Sequence, residues 1–131
     1  DLAISIIKKA KTTKDKHDLI SRFQVAELAK EVEKITIKTN ECFITRDEST
    51  IGEIFVLNKS IKNKTDDAIH NIVGEMKVNS KAVVSGTNLV IVLKHLERIS
   101  EHCTNIAENV FFMINAKIIK HEKFEEKKSE E

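Results

Sequence analysis

The chain has 131 residues, with Lys+Arg 22 against Asp+Glu 21 and a formal net charge of +1 at pH 7. That length suits one domain with a modest core. The balanced charge speaks against a duplex nucleic acid partner, and the absence of Trp and Tyr removes the stacking surfaces that single-strand binders use. Proline is absent and glycine occurs 3 times, too few turn residues for a β-sandwich or a glycine-rich phosphate loop. Charged residues at 33% and hydrophobic residues at 40% are the mixture of long amphipathic helices.

In chain order, residues 1–10 read as a short separate helix and 11–16 as a polar linker. Three segments then carry apolar residues at alternating steps of three and four. The first holds Val25, Leu28, Val32, Ile35, Thr39 and Cys42. The second holds Ile51, Ile54, Asn58, Ile61, Thr65, Ala68 and Ile72. The third runs through Ala82, Gly86, Leu89, Leu93, Leu96, Ser100, Cys103, Ala107, Val110 and Ile114. This rhythm predicts helices over 17–45, 47–78 and 81–120, packed nearly antiparallel. The fold class is therefore all-α, an antiparallel three-helix bundle over 17–120. Thr45-x-x-Glu48 reads as a capping box and Ser80 as an N-cap. Residues 121–131 are almost entirely charged and read as a flexible, solvated tail.

The longest apolar run, Leu89 to Leu93, is far short of the roughly 18 residues of a membrane span, and no signal peptide is visible. Cys42 and Cys103 form no CxxC pair, so they read as buried thiols of a reducing cytosol, and a cytoplasmic location is expected. The chain starts with Asp1 and not Met, which reads as a fragment or a processed product. No nucleophile elbow, acid–base carboxylate pair or zinc tetrad is visible, and the reading is a non-enzyme. Asp66, Asp67 and His70 have the carboxylate-x-x-His spacing of di-iron bundles, but it occurs once where that chemistry needs it twice. His95 and His102 read as surface residues.

The most informative stretch is Leu96-Glu97-Arg98-Ile99-Ser100-Glu101-His102-Cys103-Thr104-Asn105-Ile106-Ala107-Glu108. On a helical projection, Leu96, Ile99, Cys103, Ile106 and Val110 form an apolar stripe. Glu97, Glu101, Asn105 and Glu108 form a second, outward stripe. Glu97 and Glu101 are like charges one turn apart, a mild cost that a shared cation turns into a gain. Oxygen-rich helical sites suit iron, manganese or magnesium; the bland reading is a solvated face with Lys94 and Arg98 as counter-ions.

This stretch resembles the signature of the PhoU family of bacterial phosphate-signalling regulators, which typically reads LERIGDHAxNIAE. Cys42 to Asp47 resembles the family's AFxxRD turn, and Asp1 to Ile6 resembles the closing part of the same signature in a preceding bundle. The resemblance implies tandem three-helix bundles, with residues 1–10 the end of the first and 17–120 the second. It implies that Glu97 and Glu101 match an acidic motif associated with multinuclear iron or zinc. The companion acids expected on the middle helix are replaced by Asn58 and Lys62, so Lys62 is expected to set its ammonium beside Glu97 or Glu101. Arg98, Asn105 and Glu108 are the expected partner-binding residues. The implied partners are the ATPase of a phosphate ABC transporter and a sensor kinase, with neither nucleic acid binding nor membrane insertion, and the chain is expected to form a homo-oligomer. Two alternatives stand beside this: a cytoplasmic domain of a sodium–phosphate cotransporter, and a metal-binding or oligomerising bundle without a phosphate role.

Overall fold

The computed structural model describes residues 1–13 and 23–129. Helix α1 spans Leu2–Thr13, α2 spans Val25–Thr45, α3 spans Glu48–Val78 and α4 spans Val83–Ser129, with a 3-10 turn over Ser80–Ala82. There is no strand among the described residues, and the all-α expectation holds. The predicted first long helix begins later than expected, at Val25, and the predicted residues 17–22 lie outside the described ones. Of the expected linker, Lys11 to Thr13 belong to α1, and 14–16 also lie outside the described residues.

The short connections dictate the topology. Arg46 turns into the left-handed region (φ 54, ψ 38) and its N–H closes on the Cys42 carbonyl at 2.8 Å, ending α2. Asp47 is extended and caps α3: its carboxylate accepts from the Ser49 N–H at 2.9 Å and the Ser49 hydroxyl at 2.8 Å. The predicted Thr45 capping box does not form. Thr45 is still helical, and its hydroxyl donates back to the Glu41 carbonyl at 2.9 Å. At the next break Asn79, not Ser80, is the cap, accepting from the Lys81 N–H at 3.2 Å. A reversal this tight leaves neighbouring helices antiparallel. The cross-links agree: Glu31 pairs with Lys64 and Lys38 with Glu53, so residue numbers rise on α2 as they fall on α3.

Helix α4 is the common element, packing against α1, α2 and α3, while α2 also packs on α3. At 47 residues it is roughly 70 Å long. Its helical backbone continues to Ser129, through most of the predicted tail. Lys and Glu are strong helix formers, so a charged segment can continue a helix. The core follows the predicted rhythm. All six periodic positions of α2 are buried, as are Ile51, Ile54, Ile61, Thr65 and Ile72 of α3. On α4 the buried set includes Leu89, Leu93, Leu96, Ser100, Cys103, Ala107 and Val110. Each large aliphatic contributes about 1.5–3 kcal/mol relative to exposure. Gly86 lies where α3 and α4 close on each other: a Cβ there would meet Met76 Cγ and Sδ at 2.7 Å.

Ile106 was expected in the apolar stripe but is 42% exposed. The buried track passes instead through Ser100 and Ala107, small residues that let helices approach. The heptad rhythm, not the wider apolar projection, is what the neighbouring helices cover.

Candidate functional site

The signature stretch occupies the middle of α4, and side-chain contacts set its register against α3. The Ser100 hydroxyl donates to Asn58 Oδ1 at 2.7 Å, and Lys94 Nζ lies 3.6 Å from Asp66 Oδ1. Asn58 and Asp66 bracket Lys62 on α3 as Ser100 and Lys94 bracket Glu97 on α4, so Lys62 stands at the level of Glu97.

The expected outward pair is split. Glu101 is exposed, but Glu97 is only 6% exposed. A helix covered by several neighbours buries a wider arc than one stripe, and the α3-facing edge of that arc takes in position 97. Glu97 keeps its charge company there: Lys94 Nζ donates to Glu97 Oε2 at 2.6 Å. The ammonium at Glu97 is thus that of Lys94, one turn away on the same helix, and Lys62 stays exposed. The hydrogen bond to Glu97 holds the Lys94 amine above its ordinary pKa against the opposing effect of desolvation, with Asp66 adding to it.

This arrangement bears on the implied metal. A multinuclear iron or zinc centre needs several anionic oxygens converging on one point. Here Glu97 is neutralised by Lys94, Asn58 offers a neutral amide already engaged by Ser100, and Lys62 is itself cationic. Among the described residues, no group of three or more His, Cys, Asp and Glu converges. The residues present do not fit such a cluster.

The other expected site residues fall together. Arg98, Glu101, Asn105 and Glu108 are all exposed and step by three, four and three, so they line one outer ridge of α4. Beyond its end, Glu108 borders an apolar groove with Ile51 and Phe55 of α3 and Phe111 and Phe112 of α4. The two α4 rings meet edge to face at 6.2 Å.

His95, expected at the surface, is partly covered by α1. It is half-buried, and its Nε2 lies 2.9 Å from the Ser5 hydroxyl, which ties α1 to α4. His102 and His70 are exposed, and Asp67 lines a separate cleft between α2 and α3 with Glu27, Glu31 and Lys64. Cys42 and Cys103 are free and buried, as expected. Burial, followed by the Asp47 charge, pushes the Cys42 thiol upward, keeping it protonated.

Sequence reasoning weighed Lys94 only as a local counter-ion and missed Asp66 and Ser100 as parts of this site. Lys94 had a local signal, its position three residues before Glu97. Asp66 and Ser100 had none, because their roles arise from the α3–α4 register.

The PhoU domain matches residues 25–110, from the first buried residue of α2 to Val110 in the buried track of α4. The chain is also similar to the phosphate-specific transport system accessory protein PhoU homolog of Pseudomonas aeruginosa, at 24% identity over 98 residues. The aligned region is 75% of this chain and 40% of that relative, so the chain spans well under half of the relative's length. No solved structure matches it. The domain match takes in α2, α3 and the whole signature stretch of α4, and the chain belongs to the PhoU family.

Proposed function

We propose that this chain regulates phosphate uptake and phosphate-starvation signalling through protein contacts with the ATPase of a phosphate ABC transporter, a sensor kinase, or both. The observation that carries this is the PhoU domain match over 25–110, which coincides with the three-helix body. The fold supplies a suitable surface. Helices packed along their length form a rigid rod, and the ridge Arg98, Glu101, Asn105 and Glu108 offers charge and hydrogen bonding without belonging to the core. The groove at Phe55, Phe111 and Phe112 offers the kind of aromatic anchor site that concentrates binding energy. Regulation by such contacts requires no turnover of a small molecule, and among the described residues no helix is long and apolar enough to cross a membrane.

The test is a binding measurement with purified transporter ATPase and with the cytoplasmic part of the sensor kinase. Replacing Arg98, Glu101 and Glu108 together with Ala is expected to weaken binding to at least one of them by tenfold or more, with unchanged helical circular dichroism. Failure of the wild-type chain to bind either protein would remove the proposal.

A further inference from the structure

We infer that the cation serving the signature carboxylate Glu97 of this chain is the Lys94 ammonium, and that it occupies the charge position where a metal ion would otherwise sit. Four observations converge. Glu97, the better shielded of the two signature acids, is 6% exposed, and its Oε2 already accepts from Lys94 Nζ at 2.6 Å. A metal ligated by that oxygen has to displace the ammonium from a contact that is short and charge-assisted. The same ammonium lies 3.6 Å from Asp66 Oδ1, so the other carboxylate at this level of α3 is drawn to it as well. Asn58, at the next level, is spent on the Ser100 hydroxyl at 2.7 Å. Lys62, between Asn58 and Asp66, adds a second positive charge to the α3 face, and a multivalent cation is repelled by it.

The charge count closes without a metal. Asp66 and Glu97 contribute two negative charges; Lys94 bridges them, and Lys62, between Asn58 and Asp66 on α3, supplies the second positive charge. A lysine-centred set of carboxylate contacts thus links α4 to α3 at this level, and unlike a metal centre it does not depend on cation supply or on chelators. Glu101, exposed on the ridge, is left available for contacts with a partner.

Metal binding tests this without any partner protein, so its outcome is independent of the regulatory proposal. The purified chain is incubated with excess Zn(II), Fe(III) or Mn(II) and desalted. Retained metal is measured by elemental analysis, and the melting temperature is recorded with and without each ion. The wild type is expected to retain less than stoichiometric metal, with no metal-dependent rise in melting temperature. Lys94→Gln/Lys62→Asp, which removes both ammoniums and adds a carboxylate on α3, is expected to gain a metal-dependent rise that is lost again when Glu97→Gln is added. Lys94→Arg, which keeps a cation and guards against a Gln variant that does not fold, is expected to behave like the wild type. Stoichiometric metal in the wild type that disappears in Glu97→Gln overturns the inference. So does a folded Lys94→Gln/Lys62→Asp chain that gains no metal response, or an Arg variant that binds metal.

Discussion

The Thr65 hydroxyl is fully buried and its Oγ1 has no hydrogen-bond partner among the described residues. A buried hydroxyl that loses its water without replacement costs free energy, and valine has nearly the same shape. Thr65→Val is expected to raise stability by about 1 kcal/mol, read as a higher denaturant midpoint at constant slope. Lys94 and Glu97 call for the opposite. Lys94→Met strands a shielded carboxylate and is expected to cost about 1–3 kcal/mol, less than a fully buried pair would because Lys94 itself is 53% exposed. Adding Glu97→Gln removes the stranded charge and should recover most of the loss. Because the folded Lys94 pKa is raised, this stabilisation is present throughout the neutral range and fades only as pH rises through the folded value, in alkali. These effects were not legible beforehand. The rhythm of three and four marks position 65 as core and the helical projection sets position 97 on an outward stripe, and neither shows which polar group finds a partner.

Helix ends show what local chemistry can and cannot specify. The break between α2 and α3 was placed correctly, yet the cap was assigned two residues early. Thr45 and Asp47 are both good caps, and the choice depends on which residue leaves the helix; the left-handed turn at Arg46 selects Asp47. Hydrogen bonds from the Ser49 hydroxyl and then the Ser49 N–H lower the Asp47 pKa. The sign follows: the contribution is present above the unfolded value of about pH 4 and is lost as pH falls through the lower folded value. Asp47→Asn keeps a capping oxygen and is expected to flatten this acid dependence, whereas Asp47→Ala lowers stability at neutral pH. Urea denaturation across an acid series separates the two.

At the scale of the whole molecule, α4 serves as the spine on which the other helices dock, and α1 is held there by its own apolar contacts and by Ser5 and His95. Removing one hydrogen bond of this kind is worth about 0.5–1.5 kcal/mol. His95→Ala is therefore expected to speed amide exchange in Leu2–Thr13 by about threefold to tenfold, with α2 and α3 unchanged. Equal acceleration in all helices would mean that α1 and the three-helix body unfold as one unit. A docked α1 also answers what residues 1–10 do in this chain: they pack on α4 and bury part of its flank.

Much of the fold was legible before any coordinates, because helix formation and core selection repeat with a short period that one chain displays along its length. The helix class, the antiparallel order, the buried track from Leu89 to Val110, and the family resemblance in the stretch from Leu96 to Glu108 all follow from residue type and spacing. What the tertiary structure decided depends on which helix stands opposite which residue. It buried Glu97 while leaving Glu101 in solvent, gave Glu97 to Lys94 and not to Lys62, joined Ser100 to Asn58, and turned His95 inward to Ser5. Spacing places a side chain on a face of its own helix, but its solvation and partners are set by neighbours distant in sequence, and the energies of charged and polar groups depend on those neighbours above all.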